Sequence, residues 1–173
     1  MKKIALAITL LFLSVTIGYC QDQPLQLIIK SDKQVYGVGE PIYVDYQIRN
    51  LSNEDIKLVP MFSENNDIDP MQFAGDFILM GGRLKEPVQV SSGGIYWPES
   101  SIGGAVVIKK VEFYSKKINI LTIESQRYLK QPGKYMIYAK YNWGKHWNSL
   151  AMSDCWKGAL TSNAITIEVK EKR

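Results

Sequence analysis

Beyond about residue 21, apolar positions recur at every second residue rather than every third or fourth. In residues 42–49, Ile42, Val44, Tyr46 and Ile48 share one face, and Tyr43, Asp45, Gln47 and Arg49 share the other. Successive side chains of an extended strand point to opposite faces, so this alternation describes a strand with one buried side. Residues 165–170 repeat it, with Ile165, Ile167 and Val169 opposed to Thr166, Glu168 and Lys170. Residues 135–141 set Tyr135, Ile137, Ala139 and Tyr141 against Met136, Tyr138 and Lys140. Shorter apolar runs predict further strands at 25–30, 56–61, 77–80, 88–91, 105–113 and 118–123. Turn-forming clusters divide them: Gly37 to Pro41, Asn50 to Asn53, Gly81-Gly82, Ser91 to Gly94, Gly103-Gly104 and Gln131-Pro132-Gly133. No window carries a sustained helical stripe with caps. Many short alternating strands separated by turns predict an all-β antiparallel sandwich, with a single domain over residues 21–173.

Residues 1–20 follow a different pattern. Lys2 and Lys3 precede an almost wholly apolar run from Ile4 to Ile17, and no acidic residue occurs before Asp22. A positive start and a short apolar core describe an export signal, too short for a comfortable membrane span. The segment Gly18-Tyr19-Cys20-Gln21 permits two kinds of processing. Small residues at Gly18 and Cys20 suit cleavage before Gln21, whereas acylation would make Cys20 the first mature residue, with Tyr19 bulky for that pattern. The expected location is extracytoplasmic, periplasmic or secreted, with a membrane link only through the signal or a lipid on Cys20.

Processing changes the charge and cysteine arithmetic. Removing twenty residues from 173 leaves 153, and loss of Lys2 and Lys3 lowers the formal charge from +4 to +2. The basic character of the whole chain therefore belongs partly to the leader, and no nucleic-acid partner is expected. After cleavage before Gln21, Cys155 is the one cysteine that remains, so no intrachain disulfide can form. A lone cysteine in an exported domain is expected to act as a small buried apolar residue.

Two stretches resemble a known family. Ser31-Asp32-Lys33-Gln34-Val35-Tyr36-Gly37-Val38-Gly39-Glu40-Pro41-Ile42 leads a strand that ends in Arg49-Asn50-Leu51-Ser52. Near the other end, Leu129-Lys130-Gln131-Pro132-Gly133-Lys134-Tyr135 leads one strand, and Leu160-Thr161-Ser162-Asn163-Ala164-Ile165 leads the last. This resembles the immunoglobulin-like domains of bacterial exported proteins, whose Tyr-x-x-Gly-Glu-Pro opening is shared with macroglobulin-type domains. The resemblance covers roughly the outer thirds of the mature chain, and the part between about Phe62 and Lys116 matches nothing comparable. It implies an architecture more than an activity, because the family spans adhesive, inhibitory, structural and carrier modules. Within it Gly39, Glu40, Pro41, Pro132, Gly133 and Tyr135 read as scaffold. Gly39 is expected to adopt a backbone angle that a Cβ would oppose, with Pro41 closing the turn as the strand begins. Tyr135, following Pro-Gly, is similar to the tyrosine corner of such sandwiches, in which the hydroxyl pins the preceding connection.

The inventory for chemistry is thin. A Ser-His-Asp or Cys-His arrangement would need His146, the one histidine, and no nucleophile-elbow pattern surrounds Ser149, Ser153 or Cys155. The acidic stretch Glu64 to Asp69, with Asp76 beyond, offers oxygen ligands but lacks the spacing of a calcium loop. Gly81-Gly82 and Ser92-Gly93-Gly94 lack the Lys-Ser/Thr of a phosphate loop and read as turns. No catalytic residue, metal site or cofactor is therefore expected, and the chain reads as non-enzymatic.

Aromatic residues carry the remaining signal. Tyr138, Tyr141, Trp143, His146, Trp147 and Trp156 crowd one region, which holds three of the four tryptophans. The connection from about Asn142 to Lys157 is expected to join the last two strands at one end of the sandwich, where such folds carry recognition loops. Trp143, His146 and Trp147, joined by Tyr96 and Trp97, are the candidate ligand contacts, suited to stacking on sugars or anchoring a peptide. The alternative is that these rings pack the core, with Trp156 capping it and Met152 and Cys155 partly buried. The function this predicts is an exported module binding a protein or glycan through its loop end. The other readings are a protease inhibitor presenting a loop such as 92–101, or a structural subunit of an envelope complex.

Overall fold

The computed structural model describes residues 23–59, 75–90, 105–121, 123–143 and 153–171. Among them the chain forms β1 (Leu25–Ser31), β2 (Val35–Gly37), β3 (Tyr43–Asn50), β4 (Ile56–Leu58), β5 (Gly75–Gly81) and β6 (Val88–Val90). There follow β7 (Val106–Ile108), β8 (Phe113–Asn119), a short helix α1 (Ile123–Leu129), β9 (Gly133–Trp143), β10 (Gly158–Thr161) and β11 (Ile165–Lys170). One sheet has the order β1-β3-β8, and the second β2-β11-β9-β5-β6, with β10 also on β9. A two-stranded ladder joins β4 to β7. All pairings are antiparallel except β2 with β11, where Val35 lies beside Glu168 in parallel register.

This strand order is that of an immunoglobulin sandwich, with strands A, B and E in one sheet and A′, G, F, C and C′ in the other. The alternation read from sequence determines which faces meet. Val44, Tyr46 and Ile48 of β3 and Tyr135, Ile137, Ala139 and Tyr141 of β9 are buried together with Leu27, Ile29, Ile167 and Val169. Apolar surface on the two facing sheets is thereby removed from water, the dominant favourable contribution to folding.

Both scaffold motifs take the expected form. Gly39 has φ +76°, in the left-handed region that disfavours a Cβ. The carboxylate of Glu40 accepts the Gly37 N–H at 2.7 Å with one oxygen and the Lys33 ammonium with the other. Val38 N–H donates to Lys170 O at 2.9 Å, holding the turn ahead of Pro41 against β11. The Tyr135 hydroxyl donates towards Tyr128 O and Gln131 O, each at 2.8 Å, which is the geometry of a tyrosine corner. Gly82, at φ +61°, packs against that ring so closely that a Cβ would lie 2.5 Å from it.

The strand G position is divided in two. β10 pairs with the far half of β9 and β11 with its near half, and Ser162 to Ala164 form the break. There the Asn163 side chain crosses to the other sheet. Its Oδ1 accepts Ile29 N–H at 2.9 Å and its Nδ2 donates to Ile29 O at 3.0 Å, so one amide substitutes for a strand partner along the β1 edge.

Three expectations change. The strand expected over 105–113 is two strands, separated by a turn in which Glu112 N–H donates to Lys109 O at 3.0 Å. The strand expected over 118–123 ends at Asn119, whose Oδ1 accepts Leu121 N–H at 3.0 Å and turns the chain towards α1. The helix itself was not expected. Its seven residues are too few to show a 3.6-residue stripe, and Ser125, Leu129 and the Tyr135 corner hold it in place by burial and by the Ser125 Oγ bond to Ile120 O at 2.6 Å.

Candidate functional site

The candidate site is the end of the sandwich at which β1 begins, β3 ends and β8 begins. Leu25 lies opposite Asn50 and Arg49 opposite Phe113, so the turn after β3 and the turn before β8 meet there. The connection from β9 to β10 belongs to the same end, because its closing part is fastened to β4. Trp156 N–H donates to Lys57 O at 2.6 Å, Lys57 Nζ lies 2.7 Å from Asp154 Oδ2, and the Tyr141 hydroxyl donates to Val59 O at 3.0 Å.

Asn50 organises the turns. It is fully buried, and its Nδ2 lies 2.7 Å from Glu54 O, 3.1 Å from Ile108 O and 3.3 Å from Lys109 O. Its Oδ1 accepts from Ser52 N–H at 2.9 Å and from Ser52 Oγ at 2.8 Å. One amide therefore satisfies backbone groups of both turns. Asp55 adds a second tie across them, accepting Lys110 N–H at 3.1 Å and pairing with Lys109 at 2.7 Å. These partners hold the Asp55 carboxyl below its ordinary value, with the Lys109 hydrogen bond the largest influence.

The aromatic residues singled out by sequence divide. β9 extends through Trp143, two residues beyond its expected end, and alternation turns Trp143 inward with Tyr135, Ile137, Ala139 and Tyr141. At 4% exposure Trp143 belongs to the core, which corrects its assignment to a recognition surface. His146 and Trp147, and also Tyr96 and Trp97, lie outside the described residues, as do Cys20 and the stretch from Glu64 to Asp69. The connection expected from about Asn142 to Lys157 covers residues 144–157, because β9 runs on to Trp143, and it leads into β10 rather than into the last strand. Trp156 packs its ring 5.8 Å from that of Tyr141 and over Gly158, where a Cβ would lie 2.4 Å from the indole. Cys155 is buried, and burial raises its thiol pKa above the ordinary value. A thiol in that state is mostly protonated near neutral pH, a poor starting point for a nucleophile.

Asp76 lies on β5 opposite Lys140 of β9. Burial raises its pKa, and the hydrogen bond from Gln89 and the charge of Lys140 offset that only in part. Among the described residues, no three His, Cys, Asp or Glu side chains converge in a way that could hold a metal ion.

No protein-family model matches the chain, and no curated protein does. Solved structures do. One is the CARDB domain of a Pyrococcus furiosus protein, described in complex with di-metal ions. It is 16% identical, with 86% of this chain and 94% of that chain covered, at a TM-score of 0.40. Another is a β-glucosidase from Listeria innocua in complex with glucose, 12% identical, with 84% of this chain but only 16% of that chain covered, at a TM-score of 0.38. The strand order and the Tyr135 corner identify the fold without them. This is an immunoglobulin-like β-sandwich.

Asn50, which the sequence offers as a turn residue within the Arg49-Asn50-Leu51-Ser52 stretch, is not singled out there as an organiser, nor are Leu51, Val111 and Phe113, whose side chains are exposed at this end. A partial signal was present in Asn50-Leu51-Ser52, because an Asn followed two residues later by Ser suits a side-chain-closed turn.

Proposed function

We propose that this chain is an exported, non-enzymatic recognition module of macroglobulin type. Its leader, residues 1–20, is removed before Gln21 or replaced by acylation of Cys20, and the domain then binds a protein or glycan through loops at one end. The observation that supports this reading is the construction of that end. Connections far apart in sequence are tied together there by buried Asn50, by Asp55 and by the bonds from Lys57 to Asp154 and Trp156, giving a rigid base for recognition loops. Tyr96, Trp97, His146 and Trp147 are the proposed contacts, and Trp143 is not among them.

The test uses two double variants, Y96A/W97A and H146A/W147A, in the full chain. Binding is measured on a glycan array and against solubilised envelope proteins of the producing cell. Loss of a ligand seen with the wild-type chain, with an unchanged thermal transition, is the expected result. Retained binding in both variants, or unfolding of either, would remove these residues from the site.

A further inference from the structure

We propose that the tip formed by Leu51, Val111 and Phe113 is a lipid-contact surface that seats in the boundary between headgroups and acyl chains of a bilayer. The β3–β8 ladder runs one step past its last paired residues, with Asn50 N–H donating to Glu112 O at 2.9 Å. Leu51 and Val111 follow directly on the Asn50 and Glu112 ends of this bond, beside the paired Arg49 and Phe113. Val111 is 75% exposed, and Leu51 and Phe113 are each 55% exposed.

Val111 also has φ +63° at the third position of the 109–112 turn. A β-branched side chain is strained in that region, and Gly or Asn would relieve the strain. The turn thus carries an apolar side chain at its apex that its geometry does not require. Charges around the tip balance, with Arg49, Lys109 and Lys110 set against Glu54, Asp55 and Glu112. An apolar apex inside a polar rim without net charge suits insertion at a bilayer interface driven by apolar burial rather than by attraction to anionic lipid.

Two further observations favour a bilayer over a protein. Three side chains are far less than the roughly 1,200–2,000 Å² that a specific protein interface buries. The chain also joins the fold at this tip, because Leu51 N–H donates to Pro24 O at 2.7 Å. Cys20 lies four residues before Pro24, so it is tethered within about 14 Å of that point. A lipid carried by Cys20 would therefore be tethered by a short segment to this end of the fold. This inference rests on the proposed export of the chain, and it adds that the loop end works at a membrane surface.

The chain, produced with its own leader and purified after export, is sedimented with vesicles of phosphatidylcholine alone and of phosphatidylcholine mixed with phosphatidylglycerol. Wild-type chain is expected to bind both alike. L51S/V111G/F113S is expected to weaken binding about tenfold or more, with its circular-dichroism spectrum unchanged. V111G alone is expected to weaken binding while raising the melting temperature, a combination that a purely structural role for Val111 would not give. Absence of wild-type binding, a requirement for anionic lipid, or equal binding by the triple variant would overturn the proposal. So would a V111G-sensitive dimer in sedimentation equilibrium, which would assign the tip to a second copy. The mass of the mature N-terminus is read on the same sample, so a leader still in place marks failure of the export reading rather than of the tip.

Discussion

Replacing Asn50 tests whether one buried amide holds the loop end together. In the variant Asn50→Ala, two donated protons shared among Glu54 O, Ile108 O and Lys109 O are lost, together with the acceptor of Ser52 N–H and Ser52 Oγ. That is four hydrogen-bond equivalents at about 1 kcal/mol each. The partners on exposed Glu54, Lys109 and the partly exposed Ser52 can return to water, but Ile108 is buried and its carbonyl cannot. The expected loss is therefore about 4 kcal/mol, which in a domain of this size lowers the melting temperature by roughly 8–16 °C. Asn50→Asp keeps the bonds to Ser52 but turns a carboxylate towards three carbonyls. Its folded-state pKa must then lie above the unfolded value, so its folded form is favoured in acid and loses stability as the pH rises through the raised pKa. Urea unfolding followed by circular dichroism at pH about 4 and about 7 separates the two variants. The Ala offset should be the same at both values, whereas the Asp offset should be larger at the higher pH. An Ala variant within about 0.5 kcal/mol of wild type, or an Asp offset independent of pH, would refute the role given to Asn50.

Other substitutions test the corner, the core and the outer face. Tyr135→Phe should cost about 1–2 kcal/mol, measured by urea unfolding, since the hydroxyl serves both Tyr128 O and Gln131 O. Gly82→Ala should cost more, about 3 kcal/mol in the same assay, because the added Cβ meets the Tyr135 ring at 2.5 Å and the backbone there has φ +61°. Trp143→Ala should cost about 3–5 kcal/mol, as a buried aromatic does; a stable variant would return Trp143 to the surface. Asp76→Asn should raise the melting temperature at neutral pH. The raised pKa of Asp76 means that the folded state holds its proton more tightly than the unfolded chain, so stability present in acid is lost as the pH rises through that value. The advantage of the Asn variant should therefore disappear below about pH 3, where both folded and unfolded chains are protonated.

The sandwich was legible in the sequence wherever a long strand has one face in the core. β3, β9 and β11 alternate cleanly because their inward residues are mostly Ile, Val and Tyr and their outward residues are mostly charged or polar. The Gly39 turn and the Tyr135 corner were legible because each depends on a residue type with a narrow physical role. β2 and β10 were missed because each is short and runs directly into turn-forming residues, Gly37 in one case and Ser162-Asn163 in the other. Trp143 was misplaced for a related reason. Its neighbours in sequence suggested a loop, and only the continued ladder opposite Gly158 shows that alternation still governs it.

The loop end was harder to read because its determinants are not local. Asn50 resembles any turn asparagine until Ile108 and Lys109, nearly sixty residues away, supply the carbonyls that fix its amide. Val111 resembles strand material, and nothing about a valine announces a left-handed backbone. The angle arises because Asn50 and Asp55 hold Lys109, Lys110 and Glu112 from the other turn, leaving Val111 to complete the reversal. The strain at Val111 and the network at Asn50 are thus two sides of one arrangement. If Asn50→Ala loosens the turn, Val111 should relax towards an ordinary backbone conformation, and the gain in stability from Val111→Gly should shrink in that background. A double-mutant cycle on Asn50 and Val111 measures this coupling directly. Additive effects would mean that the turn adopts its reversal without Asn50.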